Sequence, residues 1–301
     1  MRSLRTPEDR FSALPGFPYQ PSYVQVADAD GGSLRMAYVA DGPADGPVVL
    51  LLHGEPTWSY LYRSVLPVLA GAGIRAIAVD LVGFGRSDKP TEVTDHTYAR
   101  HVEWVRSLAF DRLDLRDVTL VAHDWGGLIG LRLVAEHPER FARLVAANTG
   151  LPTGEQHMPE EWWCFREAVA TVDELDIGRF VQAGCLSTLP EEVRAAYDAP
   201  FPDERYKAGP RAMPQLVPVS TDDPATPANR AAWRVLSRWS GPVLCAFSDG
   251  DPITKSMAPV LRRSLPGAAG REHPTLAGAG HFLQEDAGER LAREVARFVP
   301  R

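Results

Sequence analysis

Cysteine and long apolar runs are both scarce in this sequence, and each scarcity excludes a class of protein. The 301 residues contain three cysteines, Cys164, Cys185 and Cys245, without any C-x-x-C spacing. An odd number of scattered thiols does not build a disulfide framework and is typical of reduced cysteines in a cytoplasm. No stretch reaches the ~18 apolar residues of a membrane span, and the N-terminal "MRSLRTPEDRFSALPG" lacks the apolar run of a signal peptide. We expect a cytoplasmic protein without a membrane partner.

An excess of basic charge is also missing. The chain has 32 Lys and Arg against 39 Asp and Glu, a net charge of −7, and the two signs are interleaved. No basic face for nucleic acid is apparent, so we expect no nucleic-acid partner. Hydrophobic residues make up 45% of the chain and charged residues 24%. This composition is typical of a folded protein with a substantial core.

Short apolar runs alternate with longer amphipathic ones through the first half of the chain, which is typical of a parallel sheet covered by helices. Strands are predicted at residues 47–53, 74–80, 117–123 and 140–148, and helices at about 98–113 and 126–138. From Leu151 to Ala232 this alternation stops, and tryptophans and prolines become frequent. We therefore predict an α/β core domain formed by residues 1–150 and 233–301, with an inserted helical cap domain at 151–232.

The segment "AHDWGG", residues 122–127, places an aspartate between a predicted strand and a predicted helix. A reactive residue with one small residue two positions before it and another two positions after it is typical of the sharp turn called the nucleophile elbow. Ala122 and Gly126 must be small, because larger side chains would collide with the neighbouring strand and helix. Asp124 is at the apex, where the N–H groups of a helix N-terminus favour an anion. The alternative role of Asp124 is a simple N-cap.

Three other predicted strand ends carry groups that suit the same chemistry. "HGEP", residues 53–56, follows a central strand, where a turn commonly supplies a backbone N–H to an oxyanion site. "SDGDPIT" contains the candidate acids Asp249 and Asp251, of which we favour Asp251, and "GAGHFLQED" contains His281. The chain order Asp124, Asp251, His281 matches the nucleophile, acid and base order of α/β-hydrolases. The sequence therefore predicts an α/β-hydrolase fold, a mostly parallel sheet flanked by helices.

Together these motifs resemble the haloalkane dehalogenases, in particular the subfamily of the bacterial enzyme that acts on short chlorinated alkanes. The similarity covers nearly the whole chain. It is carried by "RTPEDRFSALPGFPY", "HGEPTWSYLYR", "GFGRSDKP", "RLDLRDVTLVAHDWGG", "YDAPFPDERYKAG" and "GAGHFLQE". "HDWGG" also occurs in epoxide hydrolases, whereas "HGEPTWSYLYR" together with the cap segment is more specific.

The resemblance implies that Asp124 displaces halide from carbon and forms an alkyl ester, which water can cleave more readily than the ether that a serine would leave. His281 would be the general base that directs water onto this ester, and Asp251 would orient the imidazole. The backbone N–H groups of Glu55 and Trp125 would bind the carbonyl oxygen as it becomes negative. We expect a monomer with a haloalkane, water and halide as its partners and with no cofactor or metal.

Halide must leave as an anion in a dry pocket, and an indole N–H can bind it without adding a formal charge. By resemblance, Trp125 is the first halide donor and a cap tryptophan is the second. Trp162 and Trp163 are the candidates in the cap, and we favour Trp163. An ungapped match of the cap helix would put Phe165 at that position, so either a small gap occurs there or the second donor differs. Packing of the cap core is the other role open to the tandem tryptophans.

Three other functions remain open on the sequence. An epoxide hydrolase would share the catalytic triad but would need cap tyrosines as acids, for which Tyr197 and Tyr206 are available. A fluoroacetate dehalogenase would carry an arginine after the nucleophile, where this chain has Trp125. The third alternative is a binding protein with a silent site. Asn148 follows the strand end where another dehalogenase subfamily has its acid, but an amide cannot carry the charge, so Asp251 keeps that role.

Overall fold

The structure is a computed structural model, and it describes residues 1–300. Eleven strands occur in those residues: β1 (Ser3–Leu4), β2 (Ser22–Ala27), β3 (Ser33–Asp41), β4 (Val48–Leu52), β5 (Arg75–Val79), β6 (Lys89–Pro90), β7 (Val118–His123), β8 (Phe141–Ala147), β9 (Val243–Cys245), β10 (Phe247–Ser248) and β11 (Thr275–Leu276). Ten α-helices accompany them: α1 (Leu66–Gly71), α2 (Tyr98–Arg106), α3 (Trp125–Glu136), α4 (Glu160–Thr171), α5 (Ile177–Ala183), α6 (Glu191–Asp198), α7 (Ala208–Ala212), α8 (Thr226–Leu236), α9 (Met257–Ser264) and α10 (Leu283–Phe298).

Seven of the strands form the central sheet in the order β2-β3-β5-β4-β7-β8-β9. The pairs β2–β3 and β3–β5 are antiparallel, and the remaining four pairs are parallel. The central strands β4 and β7 read VVLLL and VTLVAH and are almost completely buried. Such continuous apolar runs are stable where helices cover both faces of a sheet. The predicted mostly parallel sheet is confirmed.

The predicted elements of the first half lie within a few residues of the observed ones, with one departure. The helix predicted from Tyr98 to Leu113 is α-helical only as far as Arg106 and continues as a π-helical segment over Ser107–Arg112. Thr97 caps its start, where the hydroxyl accepts a hydrogen bond from the backbone N–H of Arg100 at 3.2 Å. The apolar spacing indicated the helix but not the wider turn at its end.

The helices α4 to α8 lie between β8 and β9, in the region that the sequence predicts as a cap. The predicted end of the cap at Ala232 falls inside α8, which begins at Thr226. α8 also contacts the core, since the Arg132 guanidinium on α3 donates to the side-chain carbonyl of Asn229 at 3.4 Å. The division of the chain at 151 and 232 stays a prediction.

The carboxyl ends of the parallel strands meet at one edge of the sheet, which is where open α/β sheets bind ligands. His53 follows β4, Asp124 follows β7, Asn148 follows β8 and Asp251 follows β10 closely. His281 lies just before α10. Chain connectivity therefore brings the predicted functional residues to the same edge. Within residues 1–300, none of the helices is both long enough and apolar enough to cross a membrane.

Candidate active site

Asp124 sits at a strained turn between β7 and α3. Its backbone has φ 50° and ψ −121°, which is a costly conformation for a residue other than glycine, of order 1–3 kcal/mol. The turn is so tight that a Cβ atom on Gly126 would lie 2.2 Å from the carbonyl oxygen of Leu52, and a Cβ atom on Gly54 would lie 2.3 Å from Cβ of Asp124. The predicted need for a small residue at position 126 is confirmed. Asp124 is an apex residue whose side chain projects beyond the sheet.

The two oxygens of the Asp124 carboxylate have different surroundings. Oδ1 accepts a hydrogen bond from the backbone N–H of Glu55 at 2.8 Å, and Oδ2 lies 3.5 Å from Nε2 of His281. The backbone N–H of Trp125 also supports this carboxylate. Burial raises the pKa of Asp124, but His281, His123 and the backbone N–H of Trp125 together lower it by more, so the net shift is downward. The carboxylate is therefore ionised, and one of its oxygens is held by the N–H of Glu55, one of the two groups that the sequence singled out.

His281 lies between Asp124 and Asp251. Its Nδ1 is 3.2 Å from Oδ2 of Asp251, at ion-pair distance rather than in an aligned hydrogen bond. Catalytic contacts are often loose in a protein without substrate. Burial lowers the pKa of His281, but the charges of Asp251 and Asp124 raise it above its ordinary value. Both carboxylates therefore favour the imidazolium form in the resting site.

The structure distinguishes the two candidate acids. Asp251 is fully buried, and its carboxylate accepts hydrogen bonds from the backbone N–H of Ile253 at 2.9 Å and from both the N–H and the hydroxyl of Thr254. Burial raises the pKa of Asp251, but His281 and these donors lower it below its usual range. Asp249 is exposed and accepts from the N–H of Gly278 at 2.8 Å, away from the imidazole. Only Asp251 is placed to orient His281.

Two residues support the loop that carries His281, and the sequence did not indicate this role for Asn148. The side-chain amide of Asn148 donates to the carbonyl oxygens of Gly280 and His281, each at 3.0 Å, and its oxygen accepts from the N–H of Ser248 at 2.9 Å. His123 Nε2 lies 2.8 Å from the same carbonyl oxygen of His281 and donates to it. Asn148 has a positive φ of 38°, which is an uncommon backbone conformation for a residue other than glycine. Hydrogen bonds to the backbone of Gly280 and His281 therefore hold the imidazole of His281 in place.

A cavity of about 630 Å³ opens above Asp124 and His281. Glu55 and Trp125 line it on the core side, and the indole of Trp125 packs edge to face against Tyr98 with ring centroids 5.0 Å apart. Apolar residues dominate the wall, and among the described residues no lysine or arginine lines it. Among the described residues, the N–H donors in this wall are therefore indole, imidazole and amide groups rather than lysine or arginine side chains.

Helix α4 turns one of its two tryptophans toward this cavity, and it is not the one that the sequence analysis favoured. Trp162 is 5% exposed and lines the cavity together with Phe165, one turn later on the same face. Trp163 is 40% exposed and does not line the cavity. Successive residues of a helix point about 100° apart, and the docking of α4 brings the indole of Trp162 to the cavity while that of Trp163 stays outside it. The structure places Trp162 and not the favoured Trp163 at the cavity, and which indole binds halide stays a prediction.

The side chain of Glu55 is buried at the edge of the cavity beside Asp124. Its Oε1 has no hydrogen-bond partner among the described residues. Burial, and then the charge of Asp124, raise the pKa of Glu55 well above its usual value. The carboxyl group of Glu55, which favours its neutral form, thus lies next to the ionised carboxylate of Asp124.

Neither tyrosine that an epoxide hydrolase would need lies in the cavity wall. The Tyr197 hydroxyl is buried and donates to the carboxylate of Glu285 instead. Burial and that carboxylate raise the pKa of Tyr197 well above its usual value. Tyr206 packs against the hydrophobic core and is partly buried. The cap therefore offers no phenol to the space above Asp124 from these two positions.

The sheet, the elbow and the aspartate, histidine and aspartate cluster define an α/β-hydrolase, and residues 47–288 match the family model described as the alpha/beta hydrolase fold. A haloalkane dehalogenase from Mycobacterium marinum is 52% identical to the chain, over 98% of this chain and 99% of that protein. A haloalkane dehalogenase from Psychrobacter cryohalolentis is 49% identical, over 99% of this chain and 98% of that protein. The structure of the tetrameric haloalkane dehalogenase from Paraglaciecola agarilytica superposes with a TM-score of 0.90 at 38% identity, covering 98% of this chain and 97% of that one. The chain belongs to the haloalkane dehalogenase family.

The two cap tryptophans allow a direct test of which indole meets an anion. We expect Trp162→Phe to weaken bromide binding at least about tenfold, because a hydrogen bond to a charged group is lost, whereas Trp163→Phe should leave it unchanged. The measurement is quenching of tryptophan fluorescence by bromide, titrated on both variants and on the unmodified protein. Weaker quenching in Trp163→Phe alone would restore the original preference.

Proposed function

We propose that this chain hydrolyses haloalkanes to an alcohol and a halide ion, with Asp124 as nucleophile, His281 as general base and Asp251 as the acid that orients it. One observation carries the proposal: Asp124 has one oxygen held by a backbone N–H and the other directed toward His281. A carboxylate in that position can attack carbon with its free oxygen while the bound oxygen stays fixed. Membership of the dehalogenase family supports the same reaction.

In the first step, Oδ2 of Asp124 attacks the carbon that bears the halogen. A carbon–oxygen bond forms, the carbon–halogen bond breaks, and the halogen leaves with the bonding electrons as halide. We assign the indole N–H groups of Trp125 and Trp162 to that ion, because both side chains line the cavity and neither brings a charge. The product of this step is a neutral alkyl ester of Asp124.

Ester formation changes the base as well as the nucleophile. The charge of Asp124 helps to raise the pKa of His281, and the ester no longer carries that charge. The pKa of His281 therefore falls once the alkyl-enzyme has formed, and the imidazolium releases its proton to solvent. The base thus becomes available at the stage that requires it, while Asp251 still stabilises its protonated form.

In the second step, a water molecule transfers a proton to His281 and its oxygen bonds to Cγ of Asp124. The carbonyl oxygen of the ester is Oδ1, which becomes negative and is already 2.8 Å from the N–H of Glu55. Donors of this kind contribute roughly 3 kcal/mol each in other acyl-transfer enzymes, and we assign the N–H of Trp125 as the second. Collapse of the intermediate expels the alkoxide, which takes the proton from His281. The acid left on Asp124 then passes its proton to His281 and restores the resting site, so haloalkane and water yield alcohol, halide and the one proton released after ester formation.

The cavity wall contains the carboxylate of Asp124 but, among the described residues, no lysine or arginine, and this indicates the charge of the substrate. A carboxylate on the substrate would lose its hydration there without meeting a lysine or an arginine. We therefore propose uncharged haloalkanes as the substrate class. The hydrogen bond from Tyr197 to Glu285 removes the main reason to consider epoxide opening. A cytoplasmic location and a monomeric state stay expectations from the sequence.

The first experiment compares substrates with purified protein, using ion chromatography for halide and gas chromatography for alcohols and diols. We expect bromide and alcohol from 1-bromobutane and 1-bromohexane, little bromide from 6-bromohexanoate, and no diol from styrene oxide. Asp124→Ala should reduce bromide release by about a thousandfold or more, while Asp222→Ala, a change of an exposed cap aspartate, should retain it. Diol without bromide would assign Asp124 to epoxide opening, and silence on every substrate would favour a binding protein.

A second experiment isolates the base. His281→Gln should release one equivalent of bromide from 1-bromobutane and then stop, because the ester forms without the histidine but is not hydrolysed. Mass spectrometry should then find one butyl group on the peptide that contains Asp124. His137→Gln, at the end of α3 and outside the cavity, serves as the matched control and should turn over normally. Continued turnover of the His281 variant would remove that residue as the base.

A further inference from the structure

The carboxylate of Asp286, in the first turn of α10, joins the cap to the loop that carries His281. It accepts hydrogen bonds from the backbone N–H of Gly280 at 2.8 Å and from those of Leu186 and Ser187, each at 2.9 Å. The hydroxyl of Ser187 is a fourth donor. Gly280 directly precedes the histidine, whereas Leu186 and Ser187 follow helix α5 of the cap. One side chain therefore ties two distant parts of the chain together.

The same two segments are also packed backbone against backbone. The N–H of Phe282 donates to the carbonyl oxygen of Gly184 at 3.2 Å. A Cβ atom on Gly280 would lie 2.4 Å from that oxygen, and a Cβ atom on Gly184 would lie 2.5 Å from the ring of Phe282. No side chain fits between the cap segment 184–187 and the segment 280–282. A shift of one segment must therefore displace the other.

Asp286 holds this junction as an anion that neutral donors stabilise. Burial raises the pKa of Asp286, but the hydrogen bonds from Ser187, Gly280 and Leu186 lower it by a larger amount, so the carboxylate is ionised. Within residues 1–300, no lysine, arginine or histidine forms a salt bridge with it. An asparagine at this position would turn one acceptor into a donor that faces other N–H groups. The negative charge of Asp286, as well as the size of its side chain, is therefore needed to hold the donors in this arrangement.

The segment next to this junction forms part of the cavity. Gly184, Cys185 and Leu186 line it, as do Gly280, His281 and Phe282 on the other side of the contact. The other supports of the His281 loop, Asn148 and His123, come from the core and act on backbone carbonyl oxygens. Asp286 is the side chain that connects this loop to the cap.

We propose that Asp286 is a positioning residue that sets His281 relative to the cap, and that it acts in ester hydrolysis rather than in alkylation. Alkylation needs the Asp124 oxygen and the halide donors, whereas hydrolysis needs Nε2 of His281 within reach of a water molecule above the ester. Loosening the Gly280 end of the junction displaces the base and leaves the nucleophile in place. The inference rests on the proposed roles of Asp124 and His281.

The test resolves the two half-reactions in Asp286→Asn with 1-bromobutane, using rapid-quench measurement of bromide and butanol. We expect the bromide burst to keep its amplitude and rate within about twofold, while hydrolysis slows about 10-fold to 100-fold, as is typical of a base displaced by a fraction of an ångström to 1 Å. The butyl ester of Asp124 should then be visible by mass spectrometry during steady turnover. Glu289→Gln, an exposed change on the same helix, is the control and should alter neither rate.

A milder variant covers the case in which Asp286→Asn does not fold. Ser187→Ala removes one of the four donors and nothing from α10, and it should slow hydrolysis a few-fold without changing the burst. Equal slowing of both half-reactions, or slowing of the burst alone, would overturn the role of Asp286, as would wild-type hydrolysis in both variants. Failure of the proposed function is distinct, because His281→Gln would then accumulate no ester in the first place.

Discussion

A buried carboxylate at a strained turn is the feature on which the rest of this structure depends. Asp124 adopts a positive φ of 50° between β7 and α3, and its charge lies at the base of a mostly apolar cavity. Strain and desolvation both oppose this arrangement. It is maintained because the backbone N–H of Glu55 holds one oxygen, His281 faces the other, and Gly54 and Gly126 let the neighbouring chain approach closely. The N–H of Glu55 and the imidazole of His281 also have a place in the proposed reaction.

His281, the proposed base, is held by hydrogen bonds as Asp124 is, but from more distant parts of the chain. Asn148 and His123 fix the carbonyl side of the His281 loop from the ends of two neighbouring strands. Asp286 fixes its N–H side and reaches the cap at Leu186. Because the supports converge on the backbone, the imidazole itself remains free to take a proton from water and to give it to the leaving alkoxide in the proposed reaction.

A second link between the cap and the core runs through Glu285, beside Asp286. The guanidinium of Arg63 binds its carboxylate with two hydrogen bonds, and the hydroxyl of Tyr197 on α6 donates to the same group. Arg63 also stacks over the ring of Tyr60, 4.4 Å from its centroid. Adjacent acids at the start of α10 therefore hold two cap segments, and the cavity between cap and core keeps a defined shape.

The features that the sequence predicts well are those set by local patterns. β4 and β7 are found within one residue of their predicted ends, because continuous apolar runs are required in a sheet covered on both faces. The elbow depends on spacing over five residues, and the order of Asp124, Asp251 and His281 follows from the connectivity of the fold. Their proximity in the structure agrees with that expectation.

The features that were missed are set by contacts between distant residues. Trp162 and Trp163 are neighbours in one helix, and only the docking of that helix decides which indole enters the cavity. Tyr197 is an available phenol in the sequence, but its partner Glu285 lies 88 residues away and takes its hydroxyl out of the site. The anchoring role of Asp286 is likewise invisible in "HFLQED", since its donors include residues about 100 positions earlier.

The origin of the oxygen in the alcohol tests the central claim, that a covalent ester forms on Asp124, most directly. A single turnover of excess enzyme with 1-bromobutane in heavy-oxygen water separates the two sources. The account predicts butanol with ordinary oxygen, supplied by Asp124, and heavy oxygen in the carboxylate of the peptide that contains this residue. Heavy oxygen in the butanol after that single turnover would mean that water attacks the substrate carbon directly, and it would contradict the ester mechanism.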